Sequence, residues 1–164
     1  EEARTLLDPV LERMMEAVHR YEGTVNQVMG DGIMALFGAP LPLADSPLSA
    51  VQAALDMIEM MQLLNVEREA AGKPALRIGV GIATGEVIAG YTGTQQRATY
   101  TCIGDTVNLA ARMEAHTKLA AMPILIDQAT RDALPASVKV AALGPVYFKG
   151  KALEVPVHAV QATA

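Results

Sequence analysis

The sequence has a single cysteine, Cys102, so it can form neither an internal disulfide nor a multi-cysteine metal site. A reducing, cytoplasmic setting is therefore expected. Positive charge is also scarce: 13 Lys and Arg stand against 18 Asp and Glu, for a net charge of −5. A protein that grips a phosphate backbone needs clustered Lys and Arg, so nucleic acid is not an expected partner. No charge-free apolar run approaches the ~20 residues that span a bilayer, and direct membrane contact is not expected. The chain opens on Glu1 and Glu2, not on the basic segment and apolar core of a signal peptide.

What the sequence does have is apolar side chain. Of its 164 residues 51% are hydrophobic and only 19% charged. That supplies enough burial to offset the entropy of ordering the backbone, which excludes a disordered chain. The length suits one domain, residues 1–164. There is no initiator Met and the first residues already have helical spacing, so the sequence reads as a fragment of a longer protein.

Leu7, Val10, Leu11, Met14 and Val18 recur at the three-and-four spacing of a helix from about Ala3 to Tyr21. Asp8-Pro9 predicts a kink or restart in it, and Gly23 a C-terminal cap. TVNQVM and IMALF predict two strands joined at Gly30-Asp31-Gly32, since an Asp-Gly step between apolar runs is a hairpin signal. Beyond a Pro-rich loop, Ser46 as N-cap and Pro47 as first helical residue open a long helix to about Ala71. Leu48, Val51, Leu55, Ile58 and Leu63 would lie broadly on one face of it, and Gly72 and Pro74 stop it. From Leu76 the pattern predicts a strand, a turn at Thr84-Gly85 and a second strand. The polar stretch Tyr91 to Thr99 reads as an exposed arm, with a returning strand from Ala98 to Ile103. A helix follows from Gly104-Asp105 through about His116, then a short buried strand in MPILID and a short helix from Gln128 to Leu134. Two closing strands lie near Val138–Phe148 and Val155–Val160. Strands interleaved with helices predict an α/β fold, one mixed sheet with helices packed on it and no dividing linker.

Common phosphate motifs fail. Gly79-Val80-Gly81 reaches Gly85 one residue too late for a dinucleotide fingerprint and sits inside a strand. Phe148-Lys149-Gly150-Lys151 lacks the upstream Gly and the following Ser or Thr of a P-loop. His19, His116 and His158 fall in separate elements without ligand spacing, so a zinc site is not expected. The nine methionines read as core filling. On spacing alone Asp31 is a turn residue; its other reading is a carboxylate at a hairpin tip, where it could hold a hard cation such as magnesium. Asn108 and Arg112 lie four apart on one helical face. They are either a solvated surface pair or donors for a phosphate or ribose, with small neighbours that let a ligand come close. Lys149 is either an ordinary loop lysine or a phosphate contact.

Taken in order, VNQVMGDGIMALFG, RIGVGIATGEVIAG, YTCIGDTVNLAARME and FKGK resemble the class III adenylate/guanylate cyclase catalytic domain, of the bacterial type attached to larger signalling proteins. The resemblance covers essentially the whole chain, and GDTVNLAARM is its most specific piece. It implies an α+β, ferredoxin-like fold with a mixed, largely antiparallel sheet, and a head-to-tail homodimer with two active sites in its interface. There the ribose 3′-hydroxyl of a nucleoside triphosphate attacks the α-phosphate, giving a 3′,5′-cyclic nucleotide and pyrophosphate. Two magnesium or manganese ions assist, following the two-metal logic of in-line displacement. By motif, Asp31 matches a metal-holding carboxylate, Asn108 the ribose-orienting amide, and Arg112 the group that stabilises charge on the transferring phosphate. Lys149 matches the ligand of the terminal phosphates. Asp31 would act from one subunit and the other three from its mate.

Two departures accompany the match. The family's other metal carboxylate lies on a strand before the first helix, and the sequence starts after it. At the base-selecting positions stand Gln27, where adenylate cyclases carry Lys, and Thr101, which fits a bacterial subclass associated with ATP. An amide both donates and accepts, so Gln27 suits either purine, with ATP ahead of GTP. The alternative to an active cyclase is a catalytically inactive relative, kept as a regulatory or dimerisation module. Cyclic dinucleotide synthases are disfavoured, because MGDGI stands in place of their GGDEF-type turn.

Overall fold

The structure, a computed structural model, describes residues 2–93, 99–149 and 154–161. Two compact units divide it, Glu1–Ile78 and Gly79–Ala164.

In the first unit, helix α1 (Glu2–Arg20) leads to strands β1 (Thr24–Met29) and β2 (Gly32–Leu36) and then to helix α2 (Ser46–Ala70). The apolar spacing of α1 does what it predicts: Val10, Leu11, Met14, Ala17 and Val18 are buried, and α1 lies against α2 and the hairpin. Ala50, Ala53 and Ala54 on α2 are buried too, and such small side chains let two helices approach closely while Val51, Met57, Ile58 and Met61 fill the seam. Leu63 departs from the expected stripe, being 64% exposed. The first three turns of α2 bury their alanines, so the contact stripe runs through Ala and Met instead of the Leu positions. An ion pair between Arg20 and Asp56 joins the two helices at the surface, where such pairs contribute little.

Three local expectations change. The α-helix runs unbroken through Pro9. The helix end at Tyr21 is a Schellman motif, with Gly23 N–H donating to Val18 C=O at 2.9 Å and Glu22 N–H to His19 C=O at 3.0 Å. Its left-handed residue is Glu22, with φ 64°, not Gly23. Glycine is needed at 23 for space, because a β-carbon there would lie 2.6 Å from the Phe37 ring. The N-cap of α2 is Asp45, one residue before Ser46, and its own φ of 52° is left-handed.

The chain leaving α2 folds back along its last turns. Asn65 grips the backbone of Leu76 from both sides, donating to its C=O and accepting from its N–H, each at 2.8 Å. Those groups of Leu76 are thereby taken, and the strand expected from Leu76 is found at Val80–Ile82.

In the second unit, strand β3 (Val80–Ile82) is followed by a hairpin of β4 (Ile88–Thr92) and β5 (Thr99–Ile103), helix α3 (Asp105–Ala120), strand β6 (Ile124–Asp127), helix α4 (Gln128–Asp132), and strands β7 (Val140–Val146) and β8 (Val155–Val160). Four strands form one mixed sheet in the order β3-β6-β8-β7, with β3 parallel to β6 and the other pairs antiparallel. Parallel neighbours require a crossover, and α3 supplies it by lying on β3 and β6. Met113, Leu125, Phe148, Val157 and Ala159 form the core beneath it.

The α+β class is as expected, but the pairing is not one sheet. Among the described residues β1–β2 and β4–β5 are separate two-stranded ladders, each hairpin satisfying its inner edge with its own partner. Residues 94–98 of the expected arm, including the start of its return at Ala98, lie outside the described residues. Among the described residues no helix is long and apolar enough to cross a membrane.

Candidate active site

Asp31 occupies the tip of the β1–β2 hairpin. Met29 and Gly32 are its last pair, which leaves Gly30-Asp31 as a two-residue loop. Gly30 has φ 53° and Asp31 has no positive φ. A positive dihedral at the first central position alone is the type II′ pattern, which glycine adopts at no steric cost. The turn leaves Asp31 exposed. Gln27, also exposed, pairs with Met34 just beyond a bulge between Val25 and Gln27. The bulge takes Asn26 out of register, and its buried Oδ1 has no hydrogen-bond partner among the described residues.

The other candidates belong to the second unit, where α3 is seated by glycines. A β-carbon on Gly79 would lie 2.1 Å from Thr117 Oγ1, and one on Gly81 would lie 2.5 Å from the backbone nitrogen of Glu114. The Gly79-Val80-Gly81 pattern is therefore a helix-packing device. Gly85 repeats it at the start of α3, where a β-carbon would meet Thr106 Oγ1 at 2.7 Å, and that hydroxyl donates to Glu86 C=O at 2.8 Å. The same turn is held from below by Asp127, which accepts from Thr84 N–H at 3.3 Å. Asp127 is buried but fully engaged, capping α4 through Thr130 N–H at 3.0 Å and Thr130 Oγ1 at 2.5 Å. Gly104 caps α3 with φ 138° and ψ 174°, a backbone region essentially confined to glycine.

So held, α3 presents Asn108, exposed, and Arg112, half-buried, on one face. Arg112 and Lys149 share the lining of one open cavity there, of about 280 Å³, with His116, Phe148, Ala115 and Leu119. Both formal charges in that lining are positive and no carboxylate is among them. A planar guanidinium that bonds two oxygens at once, beside a compact ammonium, is a donor set for a polyphosphate. Lys149 can stand at the rim because Phe148, the residue before it, is locked in the core. Asn108 lies one turn earlier and does not line the cavity. Thr101 stands on β5 opposite Gly90 in the ladder. Gly150 and Lys151, which complete the FKGK run, lie outside the described residues.

Sequence reasoning missed His116. Its ring stands 5.6 Å from that of Phe148, nearly perpendicular at 82°. The signal was its spacing, four residues after Arg112, overlooked because the histidines were weighed only as metal ligands. Cys102, on β5, is buried, and burial pushes its thiol above the ordinary value. A neutral buried thiol is a poor nucleophile and a poor metal ligand.

The donor set for a metal is incomplete. Asp31 offers one oxygen ligand of the kind magnesium or manganese takes. Among the described residues no group of three or more His, Cys, Asp or Glu stands together to hold an ion.

Comparison with known proteins agrees with the motifs. The family model for the adenylate and guanylate cyclase catalytic domain matches residues 1–161. Adenylate cyclase 1 of Rhizobium meliloti is 31% identical over 160 residues, 98% of this chain and 24% of that protein, so the chain spans about a quarter of its length. The crystal structure of the guanylyl cyclase Cya2 superposes with a TM-score of 0.88 at 32% identity, covering 100% of this chain and 82% of the other. That of the adenylyl cyclase CyaB from P. aeruginosa gives 0.83 at 30% identity, covering 100% and 85%. The chain belongs to the adenylate and guanylate cyclase catalytic domain family.

Proposed function

We propose that this chain is a single catalytic domain that converts a purine nucleoside triphosphate, ATP ahead of GTP, to its 3′,5′-cyclic nucleotide and pyrophosphate. The observation that supports the reading is that Arg112 and Lys149 line one open cavity. Lys149 binds the terminal phosphates, holding the leaving pyrophosphate. Arg112 lies against the α-phosphate, where negative charge grows as the 3′-hydroxyl gives up its proton to water, its oxygen bonds to phosphorus and the bond to the bridging oxygen that leaves with pyrophosphate breaks. Fixed donors aimed at developing charge are among the largest contributions to catalysis. Asn108, one turn nearer the start of α3, orients the ribose so that its 3′-hydroxyl is aligned for attack. Gln27 and Thr101 are the base-selecting positions in this reading. Asp31 is a carboxylate ligand for magnesium or manganese, which when bound supplies charge neutralisation at the phosphates.

The proposed assembly is a head-to-tail homodimer, with Asp31 from one protomer serving Asn108, Arg112 and Lys149 of the other. A cytoplasmic setting and fusion to further signalling domains belong to the same reading. The test is the full-length protein incubated with ATP or GTP and magnesium or manganese, with cyclic product resolved by chromatography. Product that disappears in Arg112→Ala supports the reading, and undiminished product from that variant refutes it.

The second reading, an inactive regulatory module, is favoured by one observation: among the described residues no group of three or more His, Cys, Asp or Glu stands together to hold an ion. Nucleotide binding by calorimetry without cyclic product from the full-length protein would select it.

A further inference from the structure

We propose that His116 is a positioning residue: its edge-to-face contact with Phe148 fixes Lys149 on the cavity wall it shares with Arg112. The inference rests on the assignment of Arg112 and Lys149 to the phosphates. Lys149 is exposed, and a long side chain in a loop beyond β7 has no rigid element of its own. Its neighbour Phe148 is buried and holds the chain just before it. One side of Phe148 belongs to the core cluster with Met113, Leu125 and Val157. His116 stands against the ring as well, with ring centres 5.6 Å apart and planes at 82°. Perpendicular aromatic rings attract through the positive edge of one and the negative face of the other, so the contact has a preferred geometry that aliphatic packing lacks.

Met113, Arg112 and His116 all lie on α3. Met113 shares the core cluster with Phe148, His116 stands against the Phe148 ring, and Arg112 lies one turn before His116 on the cavity wall. The backbone of α3 therefore carries both the guanidinium and the two groups that grip the residue next to Lys149. The separation of the two cations is set through this clamp. A triphosphate needs that separation fixed before it arrives, because ordering a free lysine on binding costs side-chain entropy.

The test uses the full-length protein and ATP. His116→Ala is expected to raise the KM for ATP about three- to tenfold, the range of one aromatic pair, with kcat changed far less. His116→Phe is expected to restore the KM, since it returns an aromatic ring without a cation or donor. In calorimetric titrations with ATP, His116→Ala added to Lys149→Ala is expected to weaken binding no further, because a residue acting through Lys149 has nothing left to position. A His116→Phe variant as impaired as His116→Ala would overturn the proposal in favour of direct contact between the imidazole and the nucleotide. An unchanged KM in His116→Ala would overturn it as well. If Arg112→Ala and Lys149→Ala themselves leave turnover and ATP affinity intact, it is the phosphate assignment that fails. Thermal melts of both His116 variants separate these outcomes from loss of fold.

Discussion

A β-carbon on Gly81 would lie 2.2 Å from the carbonyl oxygen of Ala110, so β3 and α3 meet backbone to backbone. The obstructing atoms are main chain, which no rotamer change can move aside. Gly81→Ala should therefore push α3 off the sheet and cost about 1–3 kcal/mol, as overpacking of a tight interior does. The expected reading is a lower urea midpoint with an unchanged slope. An unchanged midpoint would mean that the sheet and helix stand farther apart than described.

Arg112 and Lys149 line one cavity but have separate tasks in the proposed reaction, and their variants should differ in kind. Arg112→Ala should lower kcat by about 10²–10³, the usual loss when a donor to developing charge is removed. Lys149→Ala should act mainly on KM, because its contact to the terminal phosphates exists before and during the reaction. Neither should unfold the domain, since Lys149 is exposed and Arg112 only half-buried. Steady-state kinetics alongside circular dichroism distinguish the two patterns.

Why some of this was legible in the sequence and some was not follows from the range of the forces involved. The hairpin around Gly30-Asp31 and the helices are set by local periodicity and turn chemistry, and they form where the pattern puts them. Arg112 and Lys149 were legible as motif residues; their sharing of one cavity depends on long-range packing of Phe148 under α3. The glycines at 79 and 81 have a role only against an opposing helix, so along the chain they resembled a failed nucleotide fingerprint. Leu63 was misplaced because α2 buries alanines, which carry little signal in a hydrophobic count. At Leu76 the backbone is held by the side chain of Asn65, eleven residues away, which no local pattern announces.

Asp31 offers a test that separates chemistry from stability. It is exposed at the second central position of a turn whose demanding dihedral falls on Gly30. Asp31→Asn keeps the shape, and Asn suits turns equally well, so the unfolding free energy should stay within about 0.5 kcal/mol of wild type. Cyclic product should nonetheless be lost, because an amide replaces the charged oxygen offered to the metal. Retained turnover in Asp31→Asn would remove Asp31 from the metal site.

Cys102 gives a pH-dependent prediction. It is 5% exposed, and desolvation raises its thiol above the ordinary value. In the unfolded chain the thiol ionises in its usual range, about 8.5, while in the folded chain it still holds its proton. Over that window the folded state binds more protons than the unfolded state, so stability falls as the pH rises. Below the window the two states carry the same neutral thiol and the residue contributes no slope. Wild type should therefore lose more stability than Cys102→Ala between neutral pH and about pH 10, read from urea unfolding at each pH. In the same range the native thiol should react with a disulfide reagent far more slowly than the thiol in urea, since the thiolate is the reacting form. Parallel pH curves for the two proteins, or equal reaction rates in the two states, would show that the Cys102 side of β5 is open to water.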